Sequence, residues 1–315
     1  MRIVYMGTPS FAVPSLIKLA EQFEVVGVVT QPDKPKGRGH KLAAPPVKEA
    51  AQKLGLPIWQ PPKIRNAEFL AQMQDLQPDL ILVAAYSKLI PPDLLQLPRL
   101  GCVNLHPSLL PRYRGAIPVQ APIMAGEVMT GISTFLMDEG YDTGPLLCQR
   151  QVPIEPQESG TELMERLAVL GADLLVETAV GLEAGTLKAV PQSGEANYTK
   201  PFKREELIVD WSRSAEEVVN FVRALYREPE AGTVHAGQPL KLGHVLKVED
   251  GWQGEPSGQT RPGQVIGAIK GQGFVVATGG GGAVVLRLVK PAGKGWMDGV
   301  AYLAGRNLQI GEQLG

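Results

Sequence analysis

The sequence predicts an α/β protein: an N-terminal doubly wound, mostly parallel sheet followed by a separate, smaller β domain. Three observations lead there. Through the first ~150 residues, short apolar runs rich in β-branched residues alternate with segments of helical period. Those runs are continuously apolar rather than alternating, as strands buried on both faces by flanking helices are. After residue 190 the pattern changes to short strands separated by glycine turns. At 315 residues the chain also exceeds what one hydrophobic core usually serves, so two domains are expected.

Residues 2–6 (RIVYM) read as the first strand, and residues 10–22 (SFAVPSLIKLAEQ) as a helix with a proline in its first turns. Residues 25–30 (VVGVVT) form the second strand, followed by helices over 47–54 and 67–75. Strands over 80–85 (LILVAA) and 102–105 continue the sheet, strands over 132–137 and 146–152 extend it, and 159–183 is one long amphipathic helix. Ligands of such sheets sit outside the carboxyl ends of the strands. Residues 190–204 (VPQSGEANYTKPFKR) are polar, carry Pro and Gly, and lack sustained periodicity. The expected division is therefore a domain over 1–189, a linker over 190–205 and a domain over 206–315. After a helix over 214–224, strands are expected at 240–248, 263–269, 273–278 and 283–288, with residues 279–282 as a hairpin loop. Several short strands in so little chain suggest a small barrel or sandwich.

Composition is that of a soluble globular protein, 44% hydrophobic and 20% charged. With 31 basic and 32 acidic residues the net charge is −1, so an anionic partner must be met by a local patch. The two cysteines, Cys102 and Cys148, sit in apolar runs without metal-ligand or disulfide-framework spacing, which points to the reduced cytoplasm. The opening MRIVYMG is a strand, too short for a signal segment, and no apolar span reaches the ~18 residues a membrane helix needs. No apolar interface stripe is evident, so a monomer is expected.

Three segments could carry chemistry. The densest is residues 101–115, GCVNLHPSLLPRYRG. Asn104 and His106 are two apart at the end of an apolar strand, so both side chains project from one face before Pro107 breaks it. An Asn there is able to donate to a developing oxyanion and a His to shuttle a proton near neutral pH. The alternative is that Asn104 caps a turn and His106 is a satisfied, half-buried ring. Residues 137–145, MDEGYDTGP, form a second loop after a strand. An isolated Asp in such a loop usually bonds its own backbone, and Asp142 gains interest only because a His elsewhere needs a carboxylate to orient or charge it. The third is residues 31–48, QPDKPKGRGHKLAAPPVK, where Lys34, Lys36, Arg38 and Lys41 fall within eight residues without an acid. Interleaved Gly and Pro argue for an irregular basic loop, neither helix nor strand, suited to phosphate contacts or simply to solvent. Gly7-Thr8-Pro9 is not GxGxxG and no GxxxxGK[ST] occurs, which argues against a nicotinamide dehydrogenase. His40, His235 and His244 show no ligand spacing, so no metal is expected.

Five segments in order, MGTPSF (6–11), QPDKPKGRGHK (31–41), AYSKLIP (85–91), NLHPSLLPRYRG (104–115) and DEGYDTGP (138–145), resemble the methionyl-tRNA formyltransferases. The likeness continues through residues 198–202 and IVDW (208–211). It implies a Rossmann-like formyltransferase domain followed by an OB-type barrel. It implies that 10-formyltetrahydrofolate donates its formyl group to the α-amine of methionyl-initiator tRNA. The family's catalytic trio falls on Asn104, His106 and Asp142. Ser108, Leu109, Leu110 and Pro111 match the stretch along the folate, and Ser87, Leu89 and Ile90 lie near the pteridine pocket. The loop bearing Lys34, Lys36, Arg38 and Lys41 matches the family's tRNA-contacting insertion. In one respect the chain departs from expectation: from Glu206 onward, acidic and basic residues are equal in number. Affinity of that part for tRNA would depend on the distribution of charge and not on an excess.

Overall fold

The computed structural model describes residues 1–36, 41–249, 252, 260–306 and 308–315. The chain forms two compact units. One comprises Met1–Pro118, Met129–Pro153 and Met164–Thr199, the other Val119–Val128, Ile154–Leu163 and Lys200–Gly315.

The strands of the first unit are β1 (Arg2–Gly7), β2 (Glu24–Val29), β3 (Lys34–Lys36), β4 (Lys41–Ala43), β5 (Ile58–Trp59), β6 (Leu80–Ala84), β7 (Cys102–His106), β8 (Arg114–Gly115), β9 (Met129–Leu136), β10 (Leu146–Pro153) and β11 (Tyr198–Thr199). Seven make one sheet in the order β10-β9-β7-β6-β1-β2-β5. The run from β5 to β7 is parallel throughout, and β9 and β10 are added antiparallel. Parallel neighbours require crossovers, which α1 (Val13–Gln22), α2 (Pro46–Lys53), α3 (Ala67–Asp75) and the short α4 (Pro92–Leu95) supply. The doubly wound, mostly parallel sheet expected from the sequence is thus what the chain forms.

The continuous apolar runs are explained by burial on both faces. Ile3, Val4, Tyr5 and Met6 are all fully buried, as are Leu80, Ile81 and Leu82. Val4 and Met6 share a face with Ile81 and Val83 and pack with Phe69 and Met73 of α3. On β7, Leu105 meets a long helix, α6 (Gly160–Glu183), which follows the short α5 (Gln120–Met124). A Cβ at Gly171 of α6 would lie 2.8 Å from Leu105 Cδ2, so glycine is what admits the close approach. Gly7 likewise answers to space: a Cβ there would lie 2.7 Å from Ala12 Cβ and 3.0 Å from the Ala84 carbonyl oxygen.

One expectation is corrected. The basic segment is not irregular throughout, because β3 and β4 pair as an antiparallel hairpin with Lys34 opposite Ala43 and Lys36 opposite Lys41. In a two-stranded ribbon each strand keeps an outward edge, where a proline such as Pro35 breaks no ladder bond. Arg38 lies outside the described residues.

In the second unit, α7 (Ala215–Leu225) precedes β12 (Gly232–His235), β13 (Gln238–Lys247), β14 (Val265–Ile269), β15 (Gly273–Ala277), β16 (Ala283–Pro291), β17 (Met297–Asp298) and α8 (Gly299–Arg306). The strands run antiparallel in the order β12-β13-β16-β15-β14, with β17 on β16. Leu314 bridges His235 on β12 while Gln313 bridges Gln264 beside β14, so the C-terminal residues connect the two outer strands. The curled half-barrel that results is consistent with the expected OB-like fold. Its core is Leu240, Leu242, Phe274, Val276, Val284 and Leu286 against Val218, Val222 and Leu225 of α7. Ser214 and Glu217 close a capping box at the start of that helix. The glycine hairpin between β15 and β16 is present, with Gly280 and Gly281 at φ of 68° and 75°, the left-handed region glycine enters without strain. Among the described residues no helix is long and apolar enough to cross a membrane.

Candidate active site

Asn104 and His106 occupy the carboxyl end of β7, where parallel sheets place their ligands. Register puts Asn104 beside Val83 of β6 and Phe135 of β9, and His106 beside Ser133. Asn104 is half-buried and His106 buried, and their spacing of two turns both toward one face.

The His106 ring is hydrogen-bonded at one nitrogen and faces a carboxylate with the other. Nε2 lies 3.0 Å from the Tyr113 carbonyl oxygen, which only accepts, so Nε2 carries a hydrogen. Nδ1 lies 3.7 Å from Asp142 Oδ2, too long for a direct hydrogen bond but within the reach of an ion pair when the ring carries a charge. A neutral ring therefore has its one N–H directed at Tyr113, and only the protonated ring offers a second donor at Nδ1.

Asp142 is delivered by the loop between β9 and β10. The same Oδ2 accepts the Gly115 N–H at 2.8 Å. Its backbone is left-handed, φ 55°, a region few non-glycine residues adopt. The loop is braced from within: Asp138 Oδ1 accepts from Gly140 N at 3.0 Å and from the Thr143 hydroxyl at 2.7 Å. A Cβ at Gly144 would lie 1.8 Å from the Leu136 carbonyl oxygen. The structure therefore sets Asp142 beside His106, with Asn104 two residues earlier on the same face of β7.

The other predicted residues are placed less uniformly. The buried Ser108 hydroxyl donates to the Arg112 carbonyl at 2.7 Å, so it serves its own turn. Ser133 Oγ donates to Ser108 O at 2.6 Å and accepts from Leu110 N at 3.2 Å, and Gln149 donates to Leu110 O at 2.8 Å. So fixed, Leu109, Leu110 and Pro111 line a pocket of about 530 Å³ together with Ser193, Glu195 and Asn197. Ser87 is exposed at φ 61° and Leu89 is 41% exposed, whereas Ile90 is packed into the core with Met6 and Val83.

At the root of the basic hairpin, Asp33 accepts from Gln60 and Lys48, each at 2.8 Å. The Gln60 amide, with Lys48 beside it, holds the Asp33 carboxyl below the usual carboxylate range. Lys34 is exposed and its Nζ donates to Gln31 at 2.8 Å. Burial pushes the Cys102 thiol up to about 12, so it stays protonated and is no nucleophile near neutral pH.

Sequence reading gave residues 190–199 no role at the site, yet they support it. Asn197 Oδ1 accepts the Tyr113 N–H, and Asn197 O accepts the Arg114 N–H at 3.0 Å. β11 pairs parallel with β8, and the Thr199 hydroxyl donates to Arg114 O at 3.0 Å. Gln192 contacts both Arg114 and the Asp142 loop. A two-residue parallel ladder between segments 84 residues apart has no local periodicity by which to find it.

The formyl transferase family model matches residues 1–179, and the model of the formyl transferase C-terminal domain matches residues 201–307. A methionyl-tRNA formyltransferase from Synechococcus sp. (strain JA-3-3Ab) is 46% identical over 93% of this chain and 92% of its own length. The enzyme of the same name from Cyanothece sp. (strain PCC 7425 / ATCC 29141) is 43% identical over 100% and 99%. Among solved structures, an N-formyltransferase from Helicobacter canadensis shares the fold, with a TM-score of 0.65, 16% identity, and coverage of 90% of this chain and 98% of that one. With both family models matched in sequence and relatives of one name aligned over nearly their whole lengths, the chain belongs to the methionyl-tRNA formyltransferase family.

Proposed function

We propose that this chain transfers the formyl group of 10-formyltetrahydrofolate to the α-amine of methionyl-initiator tRNA, with Asn104, His106 and Asp142 as its catalytic residues. The observation that carries the reading is the Asp142 carboxylate 3.7 Å from His106 Nδ1, on the ring whose other nitrogen is held by the Tyr113 carbonyl. In the mechanism, the neutral amine attacks the formyl carbon and the carbonyl oxygen becomes an oxyanion. The Asn104 amide and the Nδ1–H of protonated His106 donate to it, in a site where preorganised donors act most strongly. Asp142 takes the proton the amine loses, directly or through water, and the C–N10 bond then breaks with a proton delivered to N10. The reading needs neither a metal ion nor a covalent enzyme intermediate. The segments containing Ser87, Leu89, Ile90 and Ser108 to Pro111 accommodate the folate. The enzyme acts as a cytoplasmic monomer, its C-terminal domain supplying further tRNA contacts.

The test supplies 10-formyltetrahydrofolate with either charged initiator tRNA or glycinamide ribonucleotide. Formyl incorporation into the methionyl-tRNA is expected. Incorporation into the ribonucleotide alone overturns the reading.

The basic hairpin carries a second expectation. Lys34, Lys36, Arg38 and Lys41 are the proposed tRNA contacts. Each phosphate neutralised contributes about 0.9 to the slope of log K against log salt on a duplex. Arg38→Ala combined with Lys41→Ala should therefore weaken tRNA binding and flatten that slope by up to about two units, with folate KM unchanged. An unchanged tRNA KM and slope would remove the hairpin from the tRNA interface.

A further inference from the structure

Gln192 closes a hydrogen-bonded circuit around Asp142. Its Nε2 donates to the Asp142 carbonyl at 2.8 Å and to the Gly144 carbonyl at 2.7 Å. Its Oε1 accepts from Arg114 Nη2 at 2.7 Å and from Nε at 3.2 Å. The neighbours fix the amide's orientation. Turned over, it would set its NH₂ against a guanidinium that only donates and its oxygen against two carbonyls that only accept. Arg114 is in turn fixed by the Tyr198 hydroxyl at 2.8 Å, with its guanidinium 5.5 Å from the centre of that ring. The next residue, Gly115, donates its N–H to the Asp142 carboxylate. The circuit therefore runs from the Asp142 carbonyl through Gln192 and the Arg114 side chain to the Gly115 N–H, and back to the Asp142 carboxylate. Gln192 thus ties the backbone end of Asp142 to β8, whose Gly115 N–H holds the carboxylate end.

The need for such a brace is visible in the backbone. Asp142 sits at φ 55°, a left-handed conformation that Asp enters more readily than most L-residues but that its surroundings must still hold in place. Asp138 secures the beginning of the loop. Its end is secured by the two carbonyl contacts from Gln192 and by the tight seat of Gly144 against Leu136.

We infer that Gln192 is a positioning residue for the formyl transfer, holding Asp142 at its distance from His106. The inference rests on the reading of Asp142 as a catalytic residue. Gln192→Glu separates the two halves of the amide, because a carboxylate still accepts from Arg114 but has no hydrogen for the two carbonyls. The expected result is a kcat about 10–100-fold lower for Gln192→Glu, since small misplacements of a catalytic group cost that much. The KM values for folate and tRNA should stay within about twofold, as no lost contact is to a substrate. Gln192→Ala should be at least as impaired, and where it does not fold, Gln192→Glu carries the test alone. In an Asp142→Asn background either change should lower kcat less than about twofold further, because residues acting through one another are not additive. A wild-type kcat for Gln192→Glu, or its full effect persisting in the Asp142→Asn background, overturns the inference. Wild-type activity in Asp142→Asn alone would instead sink the reading on which it rests.

Discussion

His106→Ala is expected to lower kcat by about 10²–10⁴-fold, the range over which a positioned proton-carrying side chain contributes. The geometry explains why no neighbour would compensate. Nε2 is committed to the Tyr113 carbonyl, so the nitrogen proposed to donate is Nδ1, the one facing Asp142. Alanine removes the donor proposed for the oxyanion and the ring that faces Asp142. The Tyr113 carbonyl also loses its hydrogen bond from Nε2, a contact of the kind worth about 0.5–1.5 kcal/mol. Some stability is therefore lost too, and the rate must be read under conditions where thermal unfolding shows the variant folded. Asn104→Ala makes a cleaner comparison: one oxyanion donor of this kind is worth about 10²–10³ in kcat. The measurement is kcat with saturating 10-formyltetrahydrofolate and methionyl-tRNA. Wild-type-like turnover in both variants would remove them from the catalytic centre.

What the sequence made legible follows from the range of the interactions concerned. The parallel sheet was readable because its strands are buried on both faces, and a run such as residues 80–84, buried throughout, has no reason to alternate. The end of β7 was readable because Asn104 and His106 are neighbours on one strand. Asp142 was not readable from local pattern: in its own loop it is one carboxylate among turn formers, and only the fold, or the resemblance to a known family, sets it beside His106. Residues 190–199 were harder still. Their polarity looks like that of a connector, while Gln192 and Asn197 direct it at backbone groups of two distant loops. The basic segment was misread for a related reason, since Gly and Pro count against interior strands but say little about a two-stranded ribbon.

Asp142→Asn and Asp142→Ala should both lower kcat by about 10²–10⁴-fold, as expected when a positioned base is removed, yet they should differ in stability. Asparagine retains a side-chain oxygen that accepts the Gly115 N–H now taken by Oδ2. It is also among the residues that enter the left-handed region most readily, so the φ of 55° is retained at little expense. Its neutral amide, however, cannot take the amine proton. The expected signature is a wild-type melting temperature and near-normal KM values with kcat greatly reduced, a loss confined to the transition state. Alanine loses the Gly115 contact and has no polar side chain to ease the left-handed backbone, a strain of roughly 1–2 kcal/mol. A lower melting temperature for Ala than for Asn, with similar kcat in both, would separate the carboxylate's part in chemistry from its part in holding the loop. Were Asn to keep most of the wild-type kcat, the negative charge beside His106 would have no part in the reaction, and Asp142 would be left with the loop alone.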